Sequence, residues 1–188
     1  MNHRKKVLAI CGSTRALSSN LLLIEAMIKM AAAQFDMEIY ERIDFLPHFN
    51  PDLDQDQAPL KVMEFRRQIK IADGVLICTP EYAMGVPGSL KNALDWTVSS
   101  MEFSHKPVAL ITASLDGHHG HQSLLDTLKV IECKLNQSTQ LVIPFIKTKV
   151  NALEGITDPP TFVEIQELII TFKAEMDSTN EGDENLFT

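Results

Sequence analysis

Five short apolar runs punctuate this chain, separated by longer segments in which apolar residues recur at helical spacing. Val7–Cys11, Gly74–Thr79 and Pro107–Ala113 are almost continuously apolar, as expected of strands buried on both faces. Met37–Ile43 alternates and predicts another strand, and Leu141–Pro144 starts a fifth. The intervening segments predict helices over Ser18–Phe35, Leu60–Ala72, Ser89–Ser99, Gln122–Leu135 and Thr161–Met176. Ser18 or Ser19 supplies the first cap. In Leu60–Ala72 the expected inward positions are Leu60, Met63, Ile69 and Ala72. Pro87-Gly88 marks one helix start and Pro159-Pro160 another. Asp44–Ala58 contains Pro47 and Pro51 and is followed by Pro59, so it reads as an irregular excursion. Thr179–Thr188 is polar and acidic and reads as a frayed tail.

Strands alternating with helices imply a parallel sheet covered on both faces. Five such strands predict an α/β, flavodoxin-like three-layer sandwich with order 2-1-3-4-5. One domain is expected over residues 1–178, with an acidic, flexible tail over 179–188. In such sheets ligands sit beyond the carboxyl ends of the strands, near the switch point between the first and third. Three unusual loops converge there: Gly12–Asn20, Pro80–Gly88 and Ser114–Gly120.

Charge changes this picture little. The 188 residues carry 17 Lys and Arg against 25 Asp and Glu, a net charge of −8. Five of those acids (Glu175, Asp177, Glu181, Asp183 and Glu184) lie near the C-terminus with no Lys or Arg among them, so the body is only mildly acidic. No basic stripe is visible, and nucleic acid is not an expected partner. Cys11, Cys78 and Cys133 are far apart and in no metal-like spacing, which predicts reduced, mostly buried thiols in a cytoplasmic protein. His3–Lys6 before Val7–Cys11 imitates a secretory signal, but the apolar stretch is too short. No apolar run approaches the ~20 residues of a membrane span, so no membrane association is expected.

The first loop carries the clearest chemistry. A buried strand that stops at Gly12 and opens into a helix presents unpaired backbone N–H groups and a favourable dipole to an anion. Ser13 and Ser18 add hydroxyl donors, Asn20 an amide, and Arg15 a guanidinium able to pair with a dianion. The plainer reading is an ordinary capped helix start. There is no Gly-Lys-Ser/Thr and no set of three spaced glycines, so neither a nucleoside-triphosphate loop nor a dinucleotide fingerprint is present. The second loop is rich in Pro and Gly, and its backbone can approach a flat ring closely. Tyr82 offers a planar face, unless it is packed on the surface. Glu81 is otherwise a solvated carboxylate or a helix cap. In the third loop His118, His119 and His121 invite a metal reading, but no carboxylate or cysteine completes a ligand set. No metal site is expected.

Gly12-Ser13-x-Arg15-x-x-Ser18-x-Asn20, then Pro80-Glu81-Tyr82, then Pro87-Gly88-Ser89-Leu90-Lys91-Asn92-Ala93-Leu94-Asp95-Trp96 resembles the NADPH-dependent FMN reductase family, which includes small chromate, quinone and azo-dye reductases. The resemblance implies a flavodoxin-like fold, bound FMN, NADPH or NADH as electron donor, and a homodimer or homotetramer with the flavin near a subunit interface. It implies that Ser13, Arg15, Ser18 and Asn20 hold the FMN phosphate. Pro80, Glu81 and Tyr82 would border the isoalloxazine mostly through backbone, and Ser114 and Gly117 fall where the third loop nears the ring. Lys91, Asn92 and Asp95 are read as helix-start and packing residues. Many members carry Asn after Pro-Glu-Tyr; here Ala83 leaves only backbone for any cofactor contact. The expected activity is transfer of electrons from a nicotinamide through FMN to a small-molecule acceptor: a quinone, azo compound, metal oxyanion or flavin. No catalytic side chain is needed, because the flavin carries the chemistry. The alternatives are a flavodoxin-type electron carrier, or a binding module that kept the fold and lost the cofactor.

Overall fold

The computed structural model describes residues 4–54 and 58–184, and for residues 179–184 the backbone alone. Five parallel strands, β1 (Lys6–Cys11), β2 (Asp36–Ile39), β3 (Gly74–Thr79), β4 (Val108–Ala113) and β5 (Gln140–Ile143), form one sheet in the order β2-β1-β3-β4-β5. β1 pairs with β3 in a register that sets Cys11 against Cys78, and β3 with β4 so that Thr79 faces Thr112. The carboxyl ends of the three central strands therefore finish level, along one edge.

Side chains alternate across the sheet with the period of two that strands impose. Val7, Ala9, Cys11, Leu76, Cys78, Ala109, Ile111 and Ala113 enter one core, against helices α1 (Ser19–Ala31) and α5 (Pro159–Glu184). Leu8, Ile10, Val75, Ile77, Val108 and Leu110 enter the other, against α2 (Leu60–Ile71), α3 (Gly88–Asp95) and α4 (His118–Val130). Helices on both faces explain why the central strands read as unbroken apolar runs.

Several boundaries differ from the sequence expectation for identifiable reasons. α1 stops at Ala31 because residues 32–34 form a turn, with Gln34 N donating to Ala31 O at 2.7 Å. β2 ends at Ile39 because Arg42 is left-handed (φ 67°), and Ile43–Phe45 then make a single 3-10 turn. In α2 the inward stripe is Val62, Phe65 and Ile69, whereas Leu60 is 83% exposed and Met63 half exposed. Ile69 and Ala72 are buried as expected, so only the first half of the expected stripe is displaced. Each fully buried apolar side chain on the true stripe contributes about 1.5–3 kcal/mol. The backbone of α5 runs to Glu184, past the expected end at Met176; the rest of the acidic tail, residues 185–188, lies outside the described residues.

The excursion after β2 is tied down by α3. Asn92 Nδ2 and Trp96 Nε1 both donate to Pro47 O (3.0 and 2.8 Å), and Asn92 Oδ1 accepts from Phe49 N at 2.7 Å. Asn92 and Asp95 are thus packing and surface groups, Asp95 pairing with Lys91. A two-stranded hairpin, β6 (Val150–Asn151) and β7 (Gly155–Ile156), packs against α1 and has no sequence signature as a strand pair.

Candidate active site at the carboxyl edge of the sheet

The first loop leaves β1 flush against β3. Gly12 N donates to Cys78 O at 2.8 Å, continuing the β1–β3 pairing beyond the last strand residue. A Cβ on Gly12 would stand 2.2 Å from Thr79 Oγ1, so only glycine allows this approach. Ser13 is half-buried and Thr14–Leu17 are exposed. Cys11 Sγ donates to Ser13 O at 3.4 Å, and burial raises the pKa of the Cys11 thiol. The same cause raises Cys78 strongly and pushes Cys133 up to about 12, so none of the three behaves as a thiolate.

Ser18 caps α1, its Oγ accepting from Leu21 N at 3.4 Å. The first turn of α1 contains no acidic residue, so its positive dipole end is left for an outside anion. Asn20 lines this end, but its side chain is occupied. Its Nδ2 donates to Ala113 O at 3.1 Å and its Oδ1 accepts from Cys78 Sγ at 3.4 Å. Asn20 therefore joins α1 to β3 and β4 and offers an anion its backbone rather than its amide.

The second loop is a hairpin turn. Tyr82 and Gly85 exchange both backbone hydrogen bonds (3.0 and 2.9 Å), with Ala83 (φ 49°) and Met84 (φ 59°) between them. Two consecutive left-handed residues define the mirror-image turn that favours Asn-Gly. The sequence supplies neither residue. Glu81 turns away from the open edge: its Oε2 accepts from Gly120 N at 2.6 Å and caps the start of α4.

The third loop joins the second and a fourth. Ser114 Oγ donates to Glu81 O at 3.4 Å. Gly117 (φ 107°) precedes α4 and packs behind the edge, where an added Cβ would meet Thr112 and Val142. His118 and His119 are exposed, the former 3.7 Å from Asp116. His121 is buried, its Nδ1 2.9 Å from Thr112 Oγ1, and burial lowers its pKa. α4 already begins at His118 and turns position 121 toward the sheet. Among the described residues no three His, Cys, Asp or Glu side chains cluster as a metal site would require.

Sequence reasoning missed the fourth loop, after β5. Phe145 N and Ile146 N donate to Leu115 O and Ser114 O, both at 3.2 Å, and Phe145 is left-handed (φ 54°). The position of β5 at the sheet edge was the available signal, since a ligand at the switch edge also meets the loop of the neighbouring strand.

A cavity of ≈ 440 Å³ opens among these four loops. Of the sequence candidates it takes in Ser13, Arg15, Ser18, Asn20, Pro80, Tyr82 and Ser114, and adds Ser19, Ala113, Leu115, Phe145, Ile146, Lys147 and Thr148. Glu81, Ala83 and Gly117 do not line it. The lining holds two cations, Arg15 and Lys147, and no carboxylate. Polar donors gather at the α1 end; Tyr82, Leu115 and Phe145 give apolar surface elsewhere. The volume falls within the range of small-ligand sites.

Comparison with known proteins agrees with this architecture. The chain is 41% identical over 108 residues to an NADH:(hydroxy)cinnamate reductase subunit of Vibrio ruber, covering 57% of this chain and 52% of that protein. It is 35% identical over 118 residues to a quinone reductase of Escherichia coli (61% and 63%). It is 34% identical over 142 residues to an NADH-dependent flavin reductase subunit of Lactobacillus johnsonii (73% and 74%). The matches to the first two thus span between half and two thirds of those relatives' length. The structure of a flavoenzyme NAD(P)H:(acceptor) oxidoreductase from Paracoccus denitrificans superposes with a TM-score of 0.76 at 26% identity, covering 93% of this chain and 98% of that one. The model of the NADPH-dependent FMN reductase family matches residues 5–144, and the chain belongs to that family.

Proposed function

We propose that this chain is an FMN-dependent oxidoreductase that takes electrons from NADPH or NADH and passes them to a small molecule: a quinone, an azo compound, a metal oxyanion or a free flavin. One observation carries the reading. The cavity at the start of α1 combines an uncompensated helix dipole, two cations and hydroxyl donors with a complete lack of carboxylates. That donor set fits a phosphate monoester dianion at one end, and the apolar remainder suits a flat heteroaromatic ring.

In this reading Ser13, Ser18 and Arg15 hold the FMN phosphate together with the backbone N–H groups that open α1. Asn20 keeps that helix start in place through Ala113. Pro80, Tyr82 and Ser114 border the ring. Glu81 fixes the ring-side turn to α4, while Ala83 and Gly117 shape backbone behind it. Bound flavin supplies hydride acceptance from the nicotinamide and onward electron delivery. No side chain is assigned a proton-transfer role. The three free cysteines suit a reducing, cytoplasmic setting. Exposed Leu115 and Phe145 in the cavity lining, with exposed Leu17 and Met84 on the first and second loops, suit a homodimer or homotetramer closing over it.

The test is spectroscopic. Purified protein titrated with FMN should quench flavin fluorescence to a defined endpoint. Anaerobic mixing of the loaded protein with NADH or NADPH should then bleach the flavin band. Bound flavin that neither coenzyme bleaches refutes the oxidoreductase reading.

A further inference from the structure

A second cavity, ≈ 530 Å³, lies on the other flank of the first loop, over the carboxyl ends of β1 and β2. Ser13 and Arg15 line both cavities, so a ligand crossing this loop reaches the two sides. The far wall is the stretch after β2. There Arg42 is left-handed and its guanidinium is fixed from two directions. Its Nε and Nη2 donate to Asp44 Oδ1 and Oδ2 at 3.0 and 2.9 Å, and its Cζ stands 3.8 Å from the Phe45 ring centroid. The hydrogen bonds raise the pKa of Arg42 and lower that of Asp44, so the pair stays charged at neutral pH. Glu41 is exposed beside it. This cavity thus balances two cations, Arg15 and Arg42, with two carboxylates, Glu41 and Asp44.

In dinucleotide-binding Rossmann sheets a carboxylate beyond the second strand accepts from the ribose 2′-hydroxyl, whereas an arginine nearby accommodates a 2′-phosphate; this chain lacks that glycine fingerprint but places both residue types at the corresponding strand end. Here Asp44 fills the Arg42 fork with both of its oxygens, and exposed Glu41 adds a second negative charge beside it. Resting on the oxidoreductase reading above, we propose that this second cavity receives the adenosine end of the nicotinamide coenzyme, and that Asp44, by saturating Arg42, sets a preference for NADH over NADPH. A 2′-phosphate entering on the Arg42 side meets Glu41, Asp44 and a fork already filled, while Arg15 on the shared loop is committed to the FMN phosphate in the reading above. A ribose diol meets acceptors for its two hydroxyls.

The test is calorimetric titration of FMN-loaded protein with 5′-ADP and with 2′,5′-ADP, which report adenosine binding without turnover. The parent should bind 5′-ADP about tenfold more tightly than 2′,5′-ADP. Asp44→Asn keeps the side-chain shape but removes its charge, and should move that ratio about tenfold toward 2′,5′-ADP. Arg42→Ala in the same background should reverse the gain. Glu41→Gln, at an exposed position, should move the ratio the same way by about threefold, and serves should Asp44→Asn fold poorly. Ratios unchanged in both single variants overturn the proposal while FMN loading still stands. Failure of the parent to take up FMN overturns the reading beneath it, and the proposal with it.

Discussion

Replacing Gly12 by alanine adds one methyl group where none fits. Its Cβ would sit 2.2 Å from Thr79 Oγ1, 2.6 Å from Thr79 Cβ and 3.1 Å from Leu90 Cδ2. Ordinary contacts between carbon atoms fall at about 3.5–4.0 Å, so the loop must lift or β3 must yield by roughly 1 Å. Neither neighbour is the loose end of a flexible chain. Thr79 is 1% exposed and its Oγ1 donates to Pro80 O at 3.0 Å; Leu90 is fully buried. Overpacking of this kind costs about 1–3 kcal/mol, and the depth of the clash puts Gly12→Ala near 3. For a chain of this length that lowers Tm by about 6–12 °C. Lifting the loop also breaks the bond from Gly12 N to Cys78 O and displaces Ser13, so FMN affinity should fall by about tenfold or more. Urea unfolding followed by the fluorescence of the single, buried Trp96 measures the first effect, and flavin fluorescence quenching the second. Gly88→Ala is the control. Gly88 opens α3, and a Cβ there meets nothing within 4 Å, so the same chemical change should be neutral or stabilise by about 0.4–1 kcal/mol. Equal midpoint shifts at the two sites, or a loss below about 0.5 kcal/mol at Gly12, refute the close-approach argument.

Arg15 is exposed, so Arg15→Ala should leave the unfolding midpoint unchanged yet weaken FMN binding by about 1.5–3 kcal/mol in a fluorescence titration. Ala83→Asn places a residue that tolerates the left-handed turn where alanine is strained, and should raise stability by about 0.5–1 kcal/mol in urea unfolding. Burial holds His121 below its usual pKa of 6.5, so the unfolded chain takes up that proton first as pH falls. Its contribution is full above pH 6.5 and is lost as pH drops toward the folded pKa; His121→Gln should flatten this acid limb in a Tm-against-pH series.

The central strands were legible because burial on both faces leaves no alternation to confuse, and the polar loop that lines the cavity because hydroxyls and Arg15 follow Gly12 directly. Residues 145–148 were not, since Phe145-Ile146-Lys147-Thr148 contain neither Gly nor Pro and the turn is imposed by bonds to Ser114 and Leu115. Residue type signals hydrogen-bonding capacity but not where the partner lies, so the bonds from Asn20 to Ala113 and from Gly120 to Glu81 left no mark in the sequence. The early end of β2 was not legible, because the left-handed backbone of Arg42 leaves no local mark in the sequence. Leu60 and Met63, two of the exposed apolar residues of α2, misled because large apolar side chains on a helix surface are common.

Glu81 grips the first turn of α4 while Tyr82 and Gly85 zip their own backbone together. One jaw of the cleft is therefore stiff. The opposing jaw, Phe145–Thr148, hangs on two longer bonds and ends in an outward aromatic ring. On the oxidoreductase reading, bulkier electron acceptors are accommodated on that side, and replacing the outward ring of Phe145 should alter which oxidants are served.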